Sequence, residues 1–164
     1  MNQVEINKDM KLSQHFTLGE LCKTSYHTSD GNIPSHVAVE NLRRLCADWL
    51  EILRERYNQK YGEDIPVVIS SGYRSVEVNM KCGGAKNSNH LTGCAVDIRC
   101  DGPEQMIRYA AILLDIADEK LHSRVGSYCV NFDELILEER GTTCWIHFAV
   151  RPKENRRKIL FDCR

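Results

Sequence analysis

Two short stretches constrain this chain more than anything else in it. In residues 95–100 and again in 144–150, apolar side chains fall on every second position. Val96, Ile98 and Cys100 oppose Ala95, Asp97 and Arg99 in the first; Cys144, Ile146, Phe148 and Val150 oppose Trp145, His147 and Ala149 in the second. A period of two marks a strand buried on one side only. If both strands belong to one sheet with its apolar side covered, Asp97 and His147 share the open side.

The cover is legible as well. Val39, Leu42, Leu45, Cys46, Trp49, Leu50, Leu53 and Tyr57 recur in steps of three and four, predicting a long helix that ends near Gly62. Pro103 stands where a first helical residue would, and Met106, Ile107, Ala110, Leu113, Leu114, Ala117 and Leu121 repeat with the same spacing. A capping-box pattern, Thr17-Leu18-Gly19-Glu20, predicts a short helix earlier in the chain. Residues 65–70 read as a strand running into a turn at 71–75, whereas 77–84 shows no clear period before the Gly83-Gly84 loop. Runs at 132–138 and 144–150, joined around Gly141, predict a β-hairpin. The basic tail, 152–164, is expected to be peripheral.

These elements predict an α+β fold: a single domain over residues 1–164 with its core at about 15–150, a small, mostly antiparallel sheet, and helices packed on one face. Length agrees, because 164 residues suit one core and crowd two. With 22 Lys+Arg against 23 Asp+Glu, no global field draws the chain toward nucleic acid. No apolar run approaches the roughly 18 residues needed to span a bilayer, and residues 1–13 lack the apolar segment of a secretory signal. The expectations are no nucleic-acid partner, no membrane span, a monomer, and a cytoplasmic chain as written. The eight cysteines include no C-x-x-C pair, and several lie in apolar patterns, so they read as reduced, buried thiols.

His90 precedes Asp97 by seven residues across Gly93, a residue able to supply the positive φ of a sharp reversal. It can therefore join Asp97 and His147. Two imidazole nitrogens and one carboxylate oxygen form a usual catalytic zinc set, with the fourth position left to water.

The motif H-x-x-G-x-A-x-D over 90–97, preceded by S-G-Y-R-S at 71–75 and followed by W-x-H at 145–147, resembles the signature of the zinc D-Ala-D-Ala carboxypeptidase family. That family includes vancomycin-resistance dipeptidases, phage endolysin peptidases and the Hedgehog signalling domain. Segments 15–21, 83–88 and 132–136 extend the likeness over about 15–150. The resemblance implies zinc on His90, Asp97 and His147, lying on the open face of the sheet, and hydrolysis of peptide bonds in peptidoglycan stem peptides, either as a D-Ala-D-Ala carboxypeptidase or as a cross-link endopeptidase. It also implies that Arg74 holds a carboxylate or carbonyl of the substrate, a task that suits a planar guanidinium.

Ser88 and Trp145 are candidates to line the substrate site. For the general base the resemblance points to Glu138, just after the Phe-Asp-x-Leu-Ile run, with Glu139 and Glu134 as alternatives. The stretch from Glu138 to His147 is about three residues longer than the family pattern, and Cys144 stands where other branches carry a carboxylate. Those two departures support a second reading, a catalytically inactive, zinc-stabilised binding module. Peptidoglycan lies outside the cytoplasmic membrane, so a phage-encoded enzyme released to the cell wall on lysis is one expectation for how the chain meets its substrate.

Overall fold

The computed structural model describes residues 7–123 and 131–163. Cys129, one of the eight cysteines, lies outside the described residues. In chain order the elements are α1 (Leu18–Leu21), α2 (His36–Leu45), a π-helical turn (Cys46–Leu50), α3 (Glu51–Tyr61), β1 (Val68–Ser71), α4 (Val76–Lys81), a 3-10 turn (Asn89–Thr92), β2 (Ala95–Cys100), α5 (Gly102–Ser123), β3 (Glu134–Arg140), β4 (Thr143–Ala149) and β5 (Lys158–Cys163). The five strands form one sheet in the order β1-β2-β4-β3-β5, antiparallel except for the β3–β5 pair. The expected α+β architecture is what the chain adopts.

The first long helix forms as its stripe requires, but in three parts. Ser35 caps it, accepting from the Ala38 amide, and Gly62 ends it in the left-handed region at φ 65. Between α2 and α3 the π turn holds Cys46, Trp49 and Leu50, all fully buried. One widened turn rotates the stripe without breaking it, which spacing in steps of three and four does not reveal. In α5 the buried side is formed by Met106, Tyr109, Ala110, Ile112, Leu113, Ile116 and Ala117, while Ile107 and Leu121 are exposed at its margins.

Helices and sheet meet over Val96, Ile98, Leu135, Leu137, Ile146 and Phe148, each buried. Trp49 packs on Phe148 with ring centroids 5.2 Å apart, and Tyr57 meets Tyr109 edge-on at 4.7 Å. Burial of each such side chain contributes about 1.5–3 kcal/mol, so this face carries the stability.

Two expectations change. Residues 77–84 begin inside a helix, α4, capped by Ser75, and six residues are too few to display a 3.6-residue period. The tail is not merely peripheral, because Lys158–Cys163 pairs in parallel with β3 as a fifth strand. Parallel pairing needs no hairpin turn, and almost all of β5 is exposed, so neither a turn signal nor a one-sided apolar pattern announces it.

Candidate metal centre

Register places the cleft residues on the uncovered face. Asp97 on β2 stands opposite His147 on β4, which stands opposite Ile136 on β3. One step along, Glu138 faces Trp145. The hairpin turn is reduced to Gly141 and Thr142, with Arg140 already paired to Thr143. The residues that made this segment look long are thus taken up as extra ladder. Alternation then leaves Glu134 and Glu138 in the cleft and turns Glu139 to the other face, opposite the buried Cys144.

His90 reaches the same point from the 3-10 turn. Ser88 caps that turn, its hydroxyl accepting from the His90 amide, and Gly93 closes it at φ 70. A Cβ on Gly93 would lie 2.3 Å from the Ala38 carbonyl oxygen, so the turn needs glycine for space as well as for φ.

Three donor atoms converge. His90 Nε2 lies 3.2 Å from Asp97 Oδ1 and 3.2 Å from His147 Nδ1, and His147 Nδ1 lies 3.0 Å from Asp97 Oδ1. Among the described residues this trio is the group of His, Cys, Asp or Glu side chains able to share a metal ion. Zinc bonds of about 2.0–2.2 Å arranged tetrahedrally separate donors by roughly 3.3 Å, so the trio has the dimensions of three corners of such a site. The outward nitrogen of each ring is engaged too. His90 Nδ1 is 2.6 Å from the Gly72 carbonyl, which can only accept, so the proton sits there and Nε2 presents its lone pair to the cluster. His147 Nε2 is 3.3 Å from Glu134 Oε2.

The charges favour a cation at this point. Burial opposes an ionised Asp97, but the hydrogen bond from His147 and the His90 ring beside it outweigh that and hold the carboxyl well below the usual range. Burial likewise opposes a charged His147, yet Asp97 and Glu134 prevail and lift its pKa to about 9. The metal-free ring carries a proton between two carboxylates, and a metal would take the place of the Nδ1 proton.

Around the trio lies a cleft of about 860 Å³ whose lining includes Arg74, Ser88, Glu134, Glu138, Arg140 and Trp145. Glu138 is half-buried; its Oε2 accepts from Trp145 Nε1 at 2.6 Å. Desolvation raises its pKa, an effect the Trp145 hydrogen bond partly offsets. Glu134 is the reverse case: its hydrogen bond with His147 is the foremost cause lowering its pKa, to about 2. Arg74 donates from Nη2 to Asp97 Oδ2 at 2.5 Å and from Nε to Ser71 Oγ at 2.9 Å, so the guanidinium grips the carboxylate of the cluster.

None of the seven cysteines among the described residues is in the cluster, and Cys82 and Cys163 are exposed where burial was expected. Burial pushes the Cys22 and Cys100 thiols up to about 12, so they remain protonated and inert. The sequence did not disclose the Gly72 carbonyl, the Arg74 grip on Asp97 or the tie between Glu134 and His147. Only the last left a trace, through the shared face of Glu134 and His147.

Comparison with known proteins adds two findings. Over 85 residues the chain is 33% identical to the zinc D-Ala-D-Ala carboxypeptidase of Streptomyces albus G, an alignment covering 51% of this chain and 31% of that protein. The chain therefore spans less than a third of this relative's length. The family model described as Peptidase M15 matches residues 14–131, a stretch that contains Arg74, His90 and Asp97 and stops before β3. With most of its length matched in this way, the chain belongs to the Peptidase M15 family.

Proposed function

We propose that this protein is a zinc-dependent peptidase that hydrolyses peptide bonds in the stem peptides of bacterial peptidoglycan. The observation that carries this reading is the convergence of His90 Nε2, Asp97 Oδ1 and His147 Nδ1 in an open cleft that also holds a half-buried carboxylate, Glu138. Membership of a peptidase family and the likeness to a zinc D-Ala-D-Ala carboxypeptidase support it.

In this reading His90, Asp97 and His147 hold the zinc. When bound, zinc supplies Lewis acidity, making water nucleophilic near neutral pH and polarising a carbonyl. Glu138 is the general base: Oε2 is fixed by Trp145, Oε1 is free to take a proton from water, and the same carboxyl then hands it to the leaving amine. Arg74 keeps Asp97 oriented through Nη2 and offers Nη1, which has no hydrogen-bond partner among the described residues, to a substrate carboxylate or carbonyl. Ser88 and Trp145 contribute to the cleft wall. The scissile bond is either the terminal D-Ala-D-Ala bond or a cross-link.

The inactive-module reading drew on the long hairpin and on Cys144. Because the extra residues extend the ladder and leave Glu138 in the cleft, the hairpin no longer favours it. Mass spectrometry of products from intact sacculi tests the proposal: release of D-Ala or of cleaved cross-links by the zinc-loaded wild type, and none by Glu138→Gln, is the expected result. Equal inactivity of both proteins on every wall substrate would return the binding-module reading.

A further inference from the structure

Glu134 is placed and held in a way that a solvating surface acid is not. It sits on β3 diagonal to His147, since Ile136 is the residue directly opposite that histidine. Diagonal neighbours on one sheet face are within reach of long side chains. Its Oε2 meets His147 Nε2 at 3.3 Å and Asn89 Nδ2 at 3.2 Å; its Oε1 meets Arg156 Nη2 at 3.0 Å and Lys158 Nζ at 3.4 Å. The side chain is 15% exposed. Asn89 belongs to the turn that carries His90, and it also donates to Asp133. Arg156 is fixed in turn by Asp133, through Nε at 2.9 Å and Nη2 at 2.7 Å, and Asp133 is fully buried.

We propose that Glu134 is the positioning carboxylate of the metal centre, and that Arg156 and Lys158, carried by the C-terminal segment and β5, lock it in place. This rests on the metal-site reading of His90, Asp97 and His147. Glu134 accepts the proton of His147 Nε2, which directs the Nδ1 lone pair at the metal and fixes the ring plane. An anion behind an imidazole also makes it a better donor. For His90 the Gly72 carbonyl serves the same purpose with a neutral acceptor. The two histidines are therefore unequal ligands, and the His147 side depends on a strand that lies beyond the residues matched by the family model.

The test is zinc affinity of the full chain, measured by competition with a chromophoric chelator, together with the visible spectrum of the cobalt-substituted protein. Glu134→Gln keeps size but replaces a charged acceptor with a weak one, and zinc affinity is expected to fall by about 10- to 100-fold with an altered cobalt spectrum. Arg156→Gln leaves the Glu134–His147 contact and removes its anchor; a smaller loss, of roughly 3- to 10-fold, is expected. Glu139→Gln, on the other face, is expected to bind as the wild type does. Circular dichroism of the metal-free variants separates loss of fold from loss of affinity, and Arg156→Gln remains informative should Glu134→Gln fail to fold. Wild-type affinity and an unchanged spectrum in Glu134→Gln would overturn the inference while leaving the three-residue site intact. Wild-type affinity in Arg156→Gln alone would remove the role of the C-terminal segment. A wild-type protein that takes up no zinc would remove the site itself.

Discussion

Arg74 and Asp97 meet through a single oxygen: Nη2 lies 2.5 Å from Oδ2, while Oδ1 of the same carboxylate faces His90 and His147. One carboxylate thus joins the S-G-Y-R-S turn to the metal trio. Arg74→Lys keeps the charge but cannot bond Ser71 and Asp97 together with one planar fork. We expect kcat/KM on a D-Ala-terminated muropeptide to fall about tenfold or more, with zinc affinity also weakened. Unchanged values for both would show that a point charge suffices.

Glu138 yields a rate prediction and a pH prediction. Glu138→Gln should lower kcat by ~10²-fold or more with full zinc content, whereas Glu139→Gln should behave as wild type. Burial raises the pKa of Glu138, so its basic form is lost as pH falls through a value above that of an ordinary glutamate. The Trp145 hydrogen bond works in the opposite direction. Trp145→Phe should therefore shift the acid limb of the kcat/KM profile to higher pH, and a shift to lower pH would contradict the assignment.

Metal and stability are linked through the same trio. A ligand that binds only the folded chain stabilises it by about 2.7 kcal/mol at 100 times its Kd, which for a domain of this size raises Tm by roughly 5–10 °C. Calorimetry with and without zinc should show this rise in the wild type. His147→Ala should show little of it.

Asp133 is the stabilising counterpart. Burial opposes its charge, but hydrogen bonds from Arg156 and Asn89 and the nearby Arg151 hold its pKa down to about 2. A carboxyl depressed from an ordinary value of about 3.9 contributes its stability fully above that pH and loses it as pH falls through the folded value. Asp133→Asn should cost about 1–3 kcal/mol near neutrality. The gap to the wild type should narrow below about pH 4. A constant gap in denaturant titrations from pH 7 to pH 2 would rule out the linkage.

What the sequence disclosed was set by period and proximity. Asp97 and His147 were assignable to one face because each lies in a strand whose alternation is clean, and His90 followed from its short span to Asp97 across Gly93. The hairpin length was misleading, since counting residues does not distinguish a longer loop from two longer strands; only the Arg140–Thr143 pairing decides it. The partners that tune the site were hidden for another reason. The Gly72 carbonyl carries no side-chain signal, and Arg156 and Lys158 come from the segment that leads into β5 and from β5 itself, whose parallel pairing joins residues with no local pattern in common.

The sheet divides its labour by parity. Along β2 and β4, one set of alternate positions faces the helices and the other faces the cleft. A saturation scan of these strands, scored separately for abundance and for wall hydrolysis, should give two sensitivity profiles out of step by one residue. Abundance should dip most at Val96, Ile98, Ile146 and Phe148, whereas turnover should dip most at Asp97 and His147, where abundance falls only by the share of stability that zinc supplies. Substitutions on one register fall mainly on one of the two properties, so the chemistry of the cleft can diverge while most of the scaffold beneath it is preserved.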